Sequence, residues 1–293
     1  MPEIPAAAIG AAAAGTAAAD STEIHTSVDG VVGLIRINRP DRGNSVTPAV
    51  VTALGDAARE MEERDEVRAI VLTGTGAVFC AGADVQEMYE VQQADGPDGL
   101  MTYLADVWMP AVQRTVRSLW ATTKPIVAAY NGAATAGGLD FGLTCDVRIA
   151  ADTARFAESY VNLGMVPVAG GAYLLPLTVG RSNAMQMLTS GDLIDADRAL
   201  AIGLVSEVVP AAEIGERARV LAERLGRAPA ATQAAVKTVA RPGQTEDLDR
   251  ALQLSLATNI DLIGRAEVRG RILAVMERYS RRLGAPAPAD PAR

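Results

Sequence analysis

Lys124-Pro125-Ile126-Val127-Ala128-Ala129-Tyr130-Asn131-Gly132-Ala133-Ala134-Thr135-Ala136-Gly137-Gly138-Leu139-Asp140 is the stretch on which the reading of this chain turns. Ile126 to Tyr130 is a short apolar run between a Pro and an Asn-Gly pair, which predicts a buried strand. Asn131 to Gly138 carries almost no side chain and reads as a loop, and Leu139 to Thr144 reads as a helix. Residues this small let a ligand approach the main chain, so that N–H groups become the functional atoms. Gly137 would lie at the helix N-terminus, where unpaired N–H groups and the positive end of the dipole face the same way. An oxyanion formed there would gain roughly 3–4 kcal/mol from one such donor. Glycines that only permit tight turns are the plainer alternative, and the local pattern leaves both open. Asp140 is likewise either a first-turn acid favoured by the dipole or a general base beside the oxyanion site.

A second loop of the same kind lies upstream. Val67 to Thr73 predicts another buried strand, and Gly74 to Ala83 a glycine-rich loop ending in Phe79-Cys80-Ala81-Gly82-Ala83-Asp84. Gly74-Thr75-Gly76 is only a partial dinucleotide fingerprint: the third glycine falls on Phe79, and no helix starts there. Further out, Glu23–Ser27 and Val31–Asn38 flank Asp29-Gly30, a hairpin signal. Thr47-Pro48 opens a helix reaching about Arg64, with Thr as cap and Pro at the first helical position. A helical stretch is expected around Val85 to Val91, a flexible segment from Gln92 to Gly99, and a long amphipathic helix from Leu100 to Thr122. Val147–Ala150 and Leu204–Val209 read as strands, Gly170–Ala201 as two or three helices, and Ala211–Leu283 as helical throughout. Strands alternating with helices make the fold class α/β. The stripe Leu248, Leu252, Leu256 and Ile260 needs a partner, either the core or another subunit.

Composition narrows the function. The chain has 293 residues, with 27 Lys and Arg against 35 Asp and Glu, a formal net charge of -8, and 4% aromatics. It has neither the basic footprint nor the stacking rings of a nucleic-acid binder, so no nucleic-acid partner is expected. The one histidine, His25, excludes a His-rich metal site and gives a Ser-His or Cys-His nucleophile little to rest on, so metal ligands are expected to be none. Cys80 and Cys145 form no CxxC and suggest a reducing, cytoplasmic setting. No apolar run approaches the length of a membrane span. Residues 1–22 read as a disordered Ala-rich leader rather than a secretory signal, and 284–293 as a flexible tail.

The motifs together are specific. Ala69-Ile70-Val71-Leu72-Thr73-Gly74, Phe79 to Asp84 with Val85-Gln86-Glu87-Met88, and Lys124 to Gly132 leading to Gly137-Gly138-Leu139-Asp140 and Cys145-Asp146 resemble the enoyl-CoA hydratase/isomerase (crotonase) superfamily. Phe156, Leu163-Gly164, Pro167, Gly170-Gly171, Leu188 to Asp192 and Ala201 to Val205 continue that register. The resemblance implies a crotonase-like ββα spiral core over 23–210, and a C-terminal all-helical region over 211–283 that builds trimers or dimers of trimers. It implies an acyl-CoA thioester as substrate and no tightly bound cofactor. The oxyanion-hole amides would be those of Ala83 and Gly137. Arg42, Asn44, Ser45, Ala81, Gly82, Asp84, Val85 and Gly138 would fall on the CoA- and substrate-binding positions.

The sequence also departs from the hydratase pattern. Typical members use two glutamates. The first falls at Asp140, one methylene shorter, and the second at Tyr160, a poor base at neutral pH. Glu158 would share a face with Tyr160 if that segment is extended, and could supply a substitute carboxylate. Three reactions therefore stay open: a 1,3-proton shift with Asp140 as single shuttle, hydration by a remodelled dyad of Asp140 with Glu158 or Tyr160, and other enolate chemistry such as decarboxylation, C–C hydrolysis or C–C bond formation with Tyr160 as proton donor. A catalytically silent acyl-CoA binder or assembly subunit is the alternative of another class.

Overall fold

The Asp29-Gly30 pair turns the chain between β1 (Ile24–Asp29) and β2 (Val32–Ile37), which pair antiparallel as the hairpin signal predicts. Gly30 sits at φ 58°, a left-handed conformation that suits glycine. The Thr47 hydroxyl accepts from the Val50 amide and caps α1 (Pro48–Glu63), whose inner face buries Val50, Val51, Leu54 and Met61. The chain is described here by a computed structural model covering residues 23–282; the leader expected over 1–22 and the tail expected over 284–293 lie outside the described residues.

Two sheets carry the fold. In the larger, β3 (Ala69–Gly74), β5 (Ile126–Tyr130), β7 (Val147–Ala151) and β10 (Glu207–Val209) extend β2 in parallel, in the order β1-β2-β3-β5-β7-β10. The smaller has the order β4-β6-β8-β9, from Val78–Cys80, Ala133–Thr135, Arg155–Ala157 and Ile194–Asp195. This second sheet corrects the sequence reading. The stretches 74–83 and 131–138, expected as plain loops, hold β4 and β6, and β8 was not anticipated at all. Strands of three residues are too short to show a period-2 pattern.

The helices are α2 (Val85–Tyr103), α3 (Met109–Ala121), α4 (Gly137–Leu143), α5 (Gly171–Val179), α6 (Arg181–Ser190), α7 (Ala196–Ala201), α8 (Ile214–Leu225), α9 (Ala230–Ala240), α10 (Gln244–Gly264) and α11 (Ala266–Arg282). Residues 92–99, expected to be flexible, instead continue α2, broken only at Gly96 (φ 72°, ψ −176°) ahead of Pro97. Pro restricts the residue before it and cannot donate to the helical ladder, so the break falls there. The single helix expected over 100–122 is interrupted by a π-helical turn, Leu104–Trp108, before α3.

β5 is buried along its whole length, which explains its unbroken apolar run. On one face, Ile126, Ala128 and Tyr130 belong to the main core, where the Tyr130 ring packs edge-on against Phe79 and Phe156. On the other, Val127 and Ala129 join Ile149, Val71 and Val32 under Ile214, Ala218 and Leu221 of α8. The stripe of α10 divides: Leu248 and Leu252 are buried, Leu256 packs at the core's edge, and Ile260 is 47% exposed. Among the described residues no helix is long and apolar enough to cross a membrane.

Candidate active site

The two glycine-bearing loops meet. Each follows a central strand, β3 or β5, and each runs through a strand of the small sheet, where β4 and β6 pair in parallel. The Thr135 hydroxyl donates to the Ala81 carbonyl (3.0 Å) and ties them together. A Cβ on Gly82 would stand 3.1 Å from the Thr135 carbonyl oxygen and 3.7 Å from the Gly137 nitrogen, and Gly82 has φ +90°. Gly138 is tighter still: a Cβ would fall 2.1 Å from the Cys80 carbonyl oxygen. These glycines set how closely the loops approach.

The main chain leaves one amide free on each side. Val46 bridges Ala83 in parallel: its N–H donates to the Gly82 carbonyl (2.8 Å), and its carbonyl accepts from the Asp84 amide (3.1 Å). In such a bridge the middle residue's own N–H points away from the partner. Gly137 is the first residue of α4, where no intrahelical acceptor exists. Its neighbour Ala136 donates to the Ala157 carbonyl (2.9 Å), while neither the Ala83 nor the Gly137 amide donates to any group among the described residues. Ala136 has φ 48° and ψ −123°, unusual for a residue with a side chain. Strain of this kind, of order 1–3 kcal/mol, persists where surrounding structure holds it and gathers at functional sites.

Three acidic or phenolic side chains close in beside those amides. Asp140, in the first turn of α4, and Glu158, just after β8, are both fully buried, and Tyr160 is nearly so. The Tyr160 hydroxyl donates to Asp140 Oδ2 (3.1 Å) and stands 3.4 Å from where a Gly137 Cβ would be. A Cβ on Gly171 would lie 2.0 Å from Asp140 Oδ1 and 2.7 Å from Glu158 Oε1, so the two carboxyls flank the space that Gly171 leaves empty. Seven buried side-chain polar atoms lack a hydrogen-bond partner among the described residues, and three are Asp140 Oδ1 and the two Glu158 oxygens.

Burial pushes the Asp140 carboxyl up to about 7; the Glu158 carboxyl, the Tyr160 hydroxyl and the Gly171 and Ala169 amides draw it partly back. Of these only Tyr160 completes a hydrogen bond. Burial, then the Asp140 charge, raises Glu158 well above the usual carboxylate range, and the same two causes raise Tyr160. Cys80 is buried and its thiol is pushed up to about 12, so it is a poor nucleophile and fills space under the turn.

The sites expected for CoA contact are arranged around this centre in different ways. The Asn44 side chain is spent internally: its amide donates to the Thr75 (2.9 Å) and Val78 (2.6 Å) carbonyls, and Oδ1 accepts from the Arg39 amide. Asp84 caps α2 and pairs with Arg39 (2.8 Å), whose guanidinium also holds the Ser45 carbonyl (2.6 Å). These side chains brace the first loop, and the backbone is tied in as well: the Ser45 amide donates to the Arg42 carbonyl (3.1 Å) and the Ala81 amide to the Gly43 carbonyl (3.0 Å), although Ala81 itself is exposed. Val85 opens α2, and Gly138 stands behind the second loop. Arg42 is exposed at the end of a 3₁₀ turn and makes no ion pair among the described residues. Sequence reasoning missed Arg39 as the brace, and Gly171 as the gap between the acids. Glu158 reaches Asp140 from a 3₁₀ turn, Ser159–Leu163, which it precedes, rather than from the extended segment that the sequence reading supposed. Among the described residues no group of three or more His, Cys, Asp or Glu could hold a metal ion.

Parallel strands feeding glycine-rich loops that meet over a helix N-terminus, with helices stacked behind, are the crotonase-type α/β architecture. A solved enoyl-CoA hydratase from Mycobacterium avium subsp. paratuberculosis superposes with a TM-score of 0.75 at 29% identity, covering 87% of this chain and 100% of that one. Residues 27–282 match the family model described as enoyl-CoA hydratase/isomerase. The chain belongs to that family and is an enzyme of the hydratase/isomerase type. It is 35% identical over 227 residues to the short-chain-enoyl-CoA hydratase of Clostridium acetobutylicum, covering 76% of this chain and 83% of that one. It is also 31% identical over 231 residues to the 1,2-epoxyphenylacetyl-CoA isomerase of Escherichia coli, covering 79% and 86%.

Proposed function

We propose that the chain transforms acyl-CoA thioesters through an enolate or related oxyanion, as an enoyl-CoA isomerase or hydratase. The observation that carries this is the pair of unused amides, Ala83 and Gly137, on two adjoining loops beside Asp140. The thioester oxygen sits between the two N–H groups, which offset the charge it gains when the α-carbon loses a proton. Asp140 takes and returns that proton, and a carboxyl pushed up to about 7 is suited to both directions near neutral pH. CoA arrives as part of the substrate, against backbone of the Asn44-Ser45 and Ala81–Val85 segments, with Arg42 facing its phosphates. Residues 23–210 form the substrate-binding core. Residues 211–283 assemble copies into trimers, using apolar side chains left outside the core such as Leu254, which is 69% exposed. A cytoplasmic setting follows from the same reading.

A second reading has one specific support. Tyr160 donates to Asp140 and borders Gly137, so its hydroxyl is placed to return a proton to an enolate formed by loss of carbon dioxide or by C–C cleavage. A panel of unsaturated, hydroxy and carboxylated acyl-CoAs, incubated in deuterated water and followed by mass spectrometry, separates the cases. Deuterium uptake without added water marks isomerisation, a gain of one water marks hydration, and either supports the first reading. Loss of carbon dioxide supports the second. Tight acyl-CoA binding with no turnover of any member contradicts both and leaves a silent binder.

A further inference from the structure

Asp140 and Glu158 face one another at the Gly171 gap with no cation to balance them. No ion pair among the described residues reaches either carboxyl. The ionisable groups around them are Tyr160 beside Asp140, Tyr130 on β5, and Cys80 on β4, all neutral when protonated. Arg148, the cation whose field reaches Tyr130, gives its guanidinium to the Leu204 and Cys145 carbonyls instead. Two anions side by side in a dry site repel strongly and lose their hydration, so a pair built this way holds back one proton.

The surroundings also say which acid keeps it. Asp140 stands in the first turn of α4, beside the N-terminus of α5, and accepts a hydrogen bond from Tyr160. Positive helix ends and a hydroxyl donor favour the ionised form. Glu158 shares the α5 end at Gly171, but it stands in no helical turn of its own and accepts from no hydroxyl, and both its oxygens are unpartnered.

We propose that Asp140 and Glu158 together carry a single proton, held on Glu158, and that Glu158 is thereby the positioning residue that keeps Asp140 ionised and aimed at the substrate. This rests on the reading of Asp140 as the base. Glu158 acts through Asp140, whose carboxylate takes the proton from substrate. Gly171 has no side chain because any Cβ there would drive the two acids apart.

The test is infrared difference spectroscopy on the substrate-free protein at pH 8, comparing wild type, Glu158→Gln and Asp140→Asn. The wild type is expected to show the carbonyl stretch of one buried neutral carboxylic acid, moved by exchange into deuterated water. That band is lost in Glu158→Gln and kept in Asp140→Asn. No such band in the wild type, or a band that disappears in Asp140→Asn and persists in Glu158→Gln, overturns the proposal. The wild-type and Asp140→Asn spectra decide the matter even if Glu158→Gln does not fold. With a substrate in hand, Glu158→Gln is expected to lose activity about tenfold and to lose the fall in rate at high pH that deprotonation of Glu158 causes. An unchanged fall at high pH contradicts the assignment. The spectra need no substrate, so failure of the acyl-CoA reading and failure of the shared proton are told apart.

Discussion

Asp140 and Asp146 stand near opposite ends of α4, the first fully buried and the second partly so, and they are built in opposite ways. Asp146 accepts from the Ile126 amide (2.8 Å), from Lys237 (2.9 Å) and from Arg241 (2.5 Å), and Arg241 in turn lies over the Trp120 ring. Every charge there is answered, and the cluster fastens α9 to the start of β5. Asp140 has a single phenolic donor, an unanswered oxygen and an unpaired acid opposite. A partly buried acid with every partner in place is architecture. A buried acid left short of partners costs stability and is kept for what it does.

The comparison can be broken in several places. Asp140→Asn is expected to lower turnover of a confirmed acyl-CoA substrate by roughly 10²–10⁴ while the melting temperature holds or rises. Unchanged turnover would remove Asp140 from the chemistry. Gly138→Ala drives a Cβ against the Cys80 carbonyl and pries the two loops apart, so kcat should fall by about 10²–10³ through loss of an oxyanion donor. Asp146→Ala leaves Lys237 and Arg241 partly buried and unpaired, and should cost roughly 3–5 kcal/mol in denaturant titrations. Its activity per folded molecule should stay near wild type, and a selective loss of kcat would erase the contrast between the two acids.

The pH dependence sharpens the same contrast. Burial pushes the Asp140 carboxyl up to about 7 against a reference of 3.8, so between those values the folded state holds on Asp140 a second proton, beyond the one on Glu158, that Asp140 in the unfolded state has released. Its contribution to stability is therefore present in acid and lost as pH rises to about 7. Asp140→Asn should gain stability relative to wild type over that interval, and the wild-type rate should climb through about pH 7 as the base ionises. Tyr160→Phe has the smallest expected effect, a loss of about tenfold in kcat from one hydrogen bond to a charged group. A loss as large as that of Asp140→Asn would favour Tyr160 as the proton donor.

Much of this was legible in the residues. The Asp29-Gly30 hairpin, the Thr47 cap and the doubly buried strand at 126–130 each carry their own local chemistry, and the loop motifs carried the family. What stayed hidden depends on long-range packing. β4, β6 and β8 are three-residue strands that exist only because they pair with one another. Asn44 and Asp84 stood at positions matched to ligand binding, and only the fold reveals that their side chains are committed to Thr75, Val78, Arg39 and the α2 amides. Glu158 was legible as a candidate, but not its burial or its missing cation, which belong to β4, β5 and α5 folding around it.

The claim beneath all of this is that the Ala83 and Gly137 amides act on one oxygen. A crystal structure of the protein with an unreactive acyl-CoA bound tests it most directly. The thioester oxygen should lie about 2.7–3.1 Å from both nitrogens, with the α-carbon beside Asp140. A carbonyl held by one amide alone, or turned away from both, would contradict it.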